Sequence, residues 1–113
     1  MKELRKGQVF FMDDLAGYIS ETENGYLFQY DKEFLKKNIA ISVSLPLRSE
    51  PYESKELFPF FKGILPEGWY LDIVAATQKV DREDLFGILL CTTNVDTIGA
   101  VTVRKIGVVL KNG

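Results

Sequence analysis

The sequence has no histidine, a single cysteine and no apolar run longer than a few residues. Without histidine, Ser-His-Asp and Cys-His arrangements, imidazole metal ligation and imidazole acid-base chemistry are all excluded. One cysteine, Cys91, can build neither an internal disulfide nor a structural zinc or iron-sulfur site, and its place after Ile88 to Leu90 reads as buried. A reducing cytoplasm is the expected compartment. The phosphate-cradling patterns G-x-x-x-x-G-K-[ST] and G-x-G-x-x-G are also missing, so no nucleotide, cofactor or metal is expected. The apolar runs fall short of the roughly 18 residues of a spanning helix, so no membrane partner is expected. Basic residues in Met1 to Lys6 are followed only by Val9 to Met12 before Asp13 and Asp14 interrupt, so secretion is not indicated. Gly/Ser/Pro-rich linkers, repeats and low-complexity stretches are absent too. Excess positive charge is the last absence: a net charge of -2 gathers no phosphates, so any contact with DNA is expected to run through a partner.

What is there suits one compact domain over residues 1–113, with 46% hydrophobic and 27% charged residues. The first third alternates short apolar runs with turn signals. Val9 to Met12, Leu15 to Thr22 and Tyr26 to Tyr30 read as a three-strand meander, turning at Asp13-Asp14 and at Asn24-Gly25. With Asn24 and Gly25 as a two-residue loop, Glu21 faces Phe28 and Ile19 faces Tyr30, and Tyr26, Phe28 and Tyr30 share an inward face. Asp31 is placed to cap a short helix through Phe34 and Leu35 that stops at Asn38. Ile39 to Leu45 alternates and reads as a strand, followed by an irregular loop from Pro46 to Ser54.

From Glu56 the pattern turns helical. A short turn carries Leu57, Phe58 and Phe61 and breaks at Gly63. A helix then opens with Pro66 as first residue and Glu67 in its first turn, buries Leu71, Val74 and Ala75, and runs to about Lys79. Another helix takes Asp81 as its N-cap, continues through Phe86, Leu89 and Leu90, and ends near Cys91. Thr92 to Asp96 reads as a turn and Ile98 to Arg104 as a closing strand, extended through Val108 to Leu110. The expected class is α+β: a small antiparallel sheet, from the meander and the C-terminal strand, packed with two to four short helices.

Five of the aromatic residues crowd into Leu57 to Tyr70: Phe58, Phe60, Phe61, Trp69 and Tyr70. Phe58 and Phe61 read as core. Trp69 lies roughly 200° around the helix axis from Leu71, so the two do not face the same core. It is either a partner-binding anchor or a lid over the hairpin with its indole N–H on a backbone carbonyl. Pro66, Glu67, Gly68, Tyr70 and Phe60 surround it as candidate partner-binding residues. The carboxylate pairs Asp13/Asp14 and Glu83/Asp84 are the remaining acid-base candidates, but turns and helix starts account for them.

The run SVSLPLRSEPYESKELFPFFKGILPEGW, Ser42 to Trp69, with D-x-x-G-A-V at Asp96 to Val101, resembles the N-terminal subdomain of the HipA family of bacterial serine/threonine kinase toxins. The resemblance covers nearly the whole chain. It departs at Asn94, where the family usually has glycine. The ATP and magnesium sites of such kinases lie beyond this subdomain, and the order Asp84-Leu85-Phe86-Gly87 is not a D-F-G magnesium motif.

Met1 lies a few residues before the first strand and the chain ends on a polar Lys-Asn-Gly, so a natural short protein is expected rather than a fragment of a longer kinase. Split systems similar to this family, called HipBST, separate such a short protein from a HipT kinase and a HipB DNA-binding repressor. The resemblance implies a non-enzymatic antitoxin that binds and inhibits a HipA/HipT-like kinase, and the off-stripe Trp69 is expected to anchor that contact at the Pro66 to Tyr70 corner. The alternatives are a non-inhibitory subunit bridging that kinase to a HipB-like repressor and, last, an enzyme in its own right.

Overall fold

Alternating apolar residues draw the first thirty positions into three antiparallel strands, β1 (Glu3–Phe11), β2 (Asp14–Thr22) and β3 (Gly25–Tyr30), in a computed structural model that describes residues 3–91 and 100–106. The first turn falls on Met12 and Asp13, with φ of 48° and 75°, one residue earlier than Asp13-Asp14, and its strand reaches back well before Val9. Positive φ at both central residues matches the twist of the hairpin. The second turn also moves. Thr22 pairs with Gly25, so the loop is Glu23-Asn24, and Glu21 faces Tyr26 while Ile19 faces Phe28. Gly25 (φ 152°) is a strand residue paired with Thr22, and only glycine fits there because a Cβ would lie 2.1 Å from the Ser54 carbonyl oxygen. This correction shifts the register by two residues, and an even shift leaves every side chain on its expected face. Phe28 and Tyr30 are accordingly buried, and Tyr26 packs against the core.

Helix α1 (Lys32–Leu35) is capped by Asp31, whose carboxylate accepts from the Glu33 N–H, and Asn38 (φ 58°) follows it. The strand expected over Ile39 to Leu45 is absent. The buried Tyr30 hydroxyl accepts from the Ile41 N–H at 3.1 Å and donates to the Leu45 carbonyl, while the Leu45 N–H closes a turn on the Ser42 carbonyl at 3.0 Å. Alternation therefore reflects two loop anchors, Ile41 and Leu45, with Val43 turned outward between them. A strand, β4 (Tyr52–Ser54), instead forms at the end of the segment read as a loop and pairs with β3. β5 (Val101–Lys105) pairs with β1, giving an antiparallel sheet of order β4-β3-β2-β1-β5. The expected turn at Thr92 to Asp96 and the extension at Val108 to Leu110 lie outside the described residues.

Three further helices, α2 (Pro59–Gly63), α3 (Gly68–Gln78) and α4 (Leu85–Leu90), complete the α+β fold. Apolar residues of α1, α2 and α4 meet Val9, Ile19, Phe28 and Val103 of the sheet around Phe34, Phe61, Phe86 and Leu89, while α3 packs against Ile88 in a second cluster. Two starts differ from expectation. Pro66 precedes α3, whose N-cap is Glu67, and Asp84 caps α4 while Asp81 holds the preceding turn through the Glu83 N–H. Asp84 is the cap because it is also gripped by Arg5, which forms paired bonds of 2.8 and 3.0 Å to it and of 2.8 and 2.9 Å to Glu21. Arg5 thereby ties β1, β2 and α4 together. Cys91 is half-buried rather than enclosed, and burial pushes its thiol up from the ordinary value.

Tyr30→Phe strands two loop backbone groups, so it should cost about 1–3 kcal/mol in urea unfolding and speed hydrogen exchange at Ile41. Arg5 holds the Asp84 carboxyl below its usual range. That stability is present above the unfolded value of about 4 and is lost as pH falls below it through the lower folded-state value. The gap in stability between wild type and Asp84→Asn, which keeps a capping oxygen, should be widest at neutral pH and narrow below about pH 4.

Candidate protein-binding corner

The corner begins where α2 runs out. Pro59 starts that helix without wasting an N–H, and Phe58 and Phe61 are buried as expected. Phe60 is half-buried, its ring edge-on to Phe61 at 5.2 Å. The helix tightens at its end, with Ile64 N–H donating to the Phe61 carbonyl and Leu65 N–H to that of Lys62. Ile64 and Leu65 then fold back onto the core. Pro66 keeps the chain extended into Glu67 (φ -128°, ψ 162°), which is exposed and contributes no side-chain cap.

Gly68 makes the turn into α3 with φ 58°. Nothing lies within 4 Å of where a Cβ would stand, so glycine is favoured here by backbone conformation and not by crowding. The next residue, Trp69, is 74% exposed. Its indole makes no hydrogen bond among the described residues and its one ring contact is edge-on to Tyr70 at 6.0 Å, which rules out the lid arrangement. Tyr70 is half-buried and packs with Leu71 against a second apolar cluster of Val74, Ala75 and Ile88. Trp69 thus stands off the buried stripe, as helical rotation requires.

Ile73, one turn beyond Trp69, is 46% exposed and was not singled out in the sequence. The i, i+4 spacing was the available signal, hidden in the continuous apolar run Ile73 to Ala76. The corner is polar only at its edges, at Glu67 and at the Asp72–Arg82 ion pair. The carboxylate pairs considered for acid-base work are occupied elsewhere. Asp14 lies 3.5 Å from the Lys37 ammonium, and Asp84 is held by Arg5 and the Gly87 N–H. Among the described residues no group of three acidic or cysteine side chains could hold a metal, and no helix is long and apolar enough to cross a membrane. The arrangement offers contact surface.

Known proteins match this chain over two thirds to nearly all of its length. The family described as the HipA N-terminal domain matches residues 7–104. An uncharacterized protein of Haemophilus influenzae is 33% identical over 106 residues, covering 93% of this chain and 97% of its own length. A protein of Sinorhizobium fredii named as a candidate kinase, Y4mE, is 31% identical over 78 residues, which are 66% of this chain but 19% of that protein. The solved N-terminal domain of HipA toxin superposes with a TM-score of 0.71 at 30% identity, over 96% of this chain and 99% of that one.

An exposed indole contributes little to folding. Trp69→Ala should leave the unfolding free energy within about 0.5 kcal/mol of wild type. Fluorescence of this sole tryptophan should be readily quenched by acrylamide in the native state.

Proposed function

Because the chain belongs to the HipA N-terminal domain family, we propose that it is an antitoxin subunit that binds a HipA/HipT-like serine/threonine kinase toxin and inhibits it. In this reading it corresponds to HipS, the short cytoplasmic protein of split HipBST systems, and acts as a single non-enzymatic domain. The family match supports this by covering an N-terminal domain and no kinase domain. The relatives support it by their lengths: one is spanned almost completely and the other, named as a candidate kinase, by a fifth.

Exposure of Trp69 is the observation that carries the proposal. A large rigid aromatic outside the core, on a helix start whose backbone direction is set by Gly68, can fill a partner's pocket at small entropic cost. Pro66, Glu67, Gly68 and Tyr70 shape the corner around it, and half-buried Phe60 lies on the preceding helix, α2, against Phe61. Inhibition follows from occluding the kinase cleft or preventing its lobes from closing.

Activity of the cognate HipT-like kinase, assayed with and without the domain, tests this. Wild type should inhibit, and Trp69→Ala should need roughly 10–100-fold more protein for the same effect. Equal potency of the variant would overturn the role of the corner. Full kinase activity despite confirmed binding would instead make the domain a bridge between the kinase and a HipB-like repressor.

A further inference from the structure

Helix α3 is apolar on two opposite sides. One side, Leu71, Val74 and Ala75, is packed against Ile88 of α4. On the other, Trp69, Ile73 and Ala76 recur at i, i+4 and i+7 and are all exposed. At 100° per residue these three lie within roughly 60° of arc, and their α-carbons span about 10 Å of helix. Exposed Asp72 and Thr77 border the strip. An ordinary surface helix has one apolar stripe and one polar face; α3 lacks the polar face along two turns.

We infer that the partner receives α3 lengthwise in an apolar groove, with Trp69 and Ile73 as paired anchors one turn apart, rather than taking up Trp69 alone in a point pocket. The inference rests on the reading that Trp69 contacts a HipA-type kinase, and it adds the shape and chemistry of the kinase surface. Area favours a concave partner over a second copy of this chain. Two such strips laid together would fall far short of the roughly 800 Å² per partner of a stable complex, whereas a groove also covers the flanks of the helix. The Sinorhizobium relative points to the same occupant, because there the matching region is 19% of a protein named as a candidate kinase and the remaining body is far larger than the domain.

Calorimetric titration of the full-length HipT-like kinase with wild type, Trp69→Ala, Ile73→Ala, Ile73→Lys and Val43→Ser provides the test, each variant first checked for a wild-type melting curve. Ile73→Ala should weaken binding roughly 5–30-fold and Ile73→Lys more than about 100-fold. Val43→Ser removes a fully exposed apolar residue from a different surface loop and should change nothing. Wild-type affinity for Ile73→Lys alongside a weakened Trp69→Ala would overturn the groove and leave the Trp69 contact standing. Undiminished binding by Trp69→Ala would overturn the reading beneath it, and the groove with it. A dimer of the isolated domain that Ile73→Lys abolishes, with kinase affinity unchanged, would assign the strip to a second copy and overturn the inference.

Discussion

The grip of Arg5 on Asp84 is the interaction on which the rest of this structure depends. Helix α4 is six residues long, too short to persist without tertiary support. Asp84 gives it an N-cap and, through the same carboxylate, a fork of bonds to β1, between β2 and β5 in the sheet. Once α4 is fixed, its residues divide. Phe86, Leu89 and Leu90 enter the main core, while Ile88 turns the other way and receives Val74 and Ala75. Helix α3 is therefore held indirectly, on one side, by a helix that is itself fixed by Arg5 and by its burial in the main core. Trp69 points outward as a consequence of that arrangement.

The face pattern of the sheet was legible in the sequence and the turns were not. Period-two alternation puts Phe28 and Tyr30 on the inner face whichever even register the hairpin adopts, so the core survived the wrong choice of loop. The Asn-Gly signal was outweighed by a contact distant in sequence, the Ser54 carbonyl lying where any side chain at position 25 would have to go. The same holds for Ile39 to Leu45. Alternation there comes from two anchors pinned by the Tyr30 hydroxyl, a bond across the fold that no local propensity encodes. Burial of that hydroxyl also pushes its pKa up from the usual tyrosine value, so the neutral donor persists.

The corner was legible to the extent that it obeys helix geometry. Two residues of separation sufficed to set Trp69 against Leu71. Helix starts were harder to locate, because Pro66, Glu67, Asp81 and Asp84 are all acceptable near an N-terminus and only tertiary partners choose among them. Arg5 makes that choice for Asp84, and for α3 it is made by the left-handed backbone at Gly68. Ile73 escaped notice for the opposite reason. Periodicity finds a buried face by contrast with a polar one, and a helix with two apolar faces supplies no contrast.

On the proposed reading, that second face has a different energetic meaning for a domain joined to its kinase and for one encoded separately. In a long chain, a domain joined to its kinase body sits at an effective concentration of about a millimolar, and weak contact keeps it in place. A separately encoded domain at about a micromolar must make up a thousandfold from the interface itself, or about 4 kcal/mol. Large exposed aromatics are the side chains able to supply that, since a buried tryptophan anchor contributes about 2–4 kcal/mol and a neighbouring aliphatic residue a further increment. Leaving Trp69 and Ile73 bare also exposes apolar surface to unwanted contacts. Such exposure is tolerable where the strip is too small to hold two copies together and large enough, once enclosed by a groove, to replace a covalent tether.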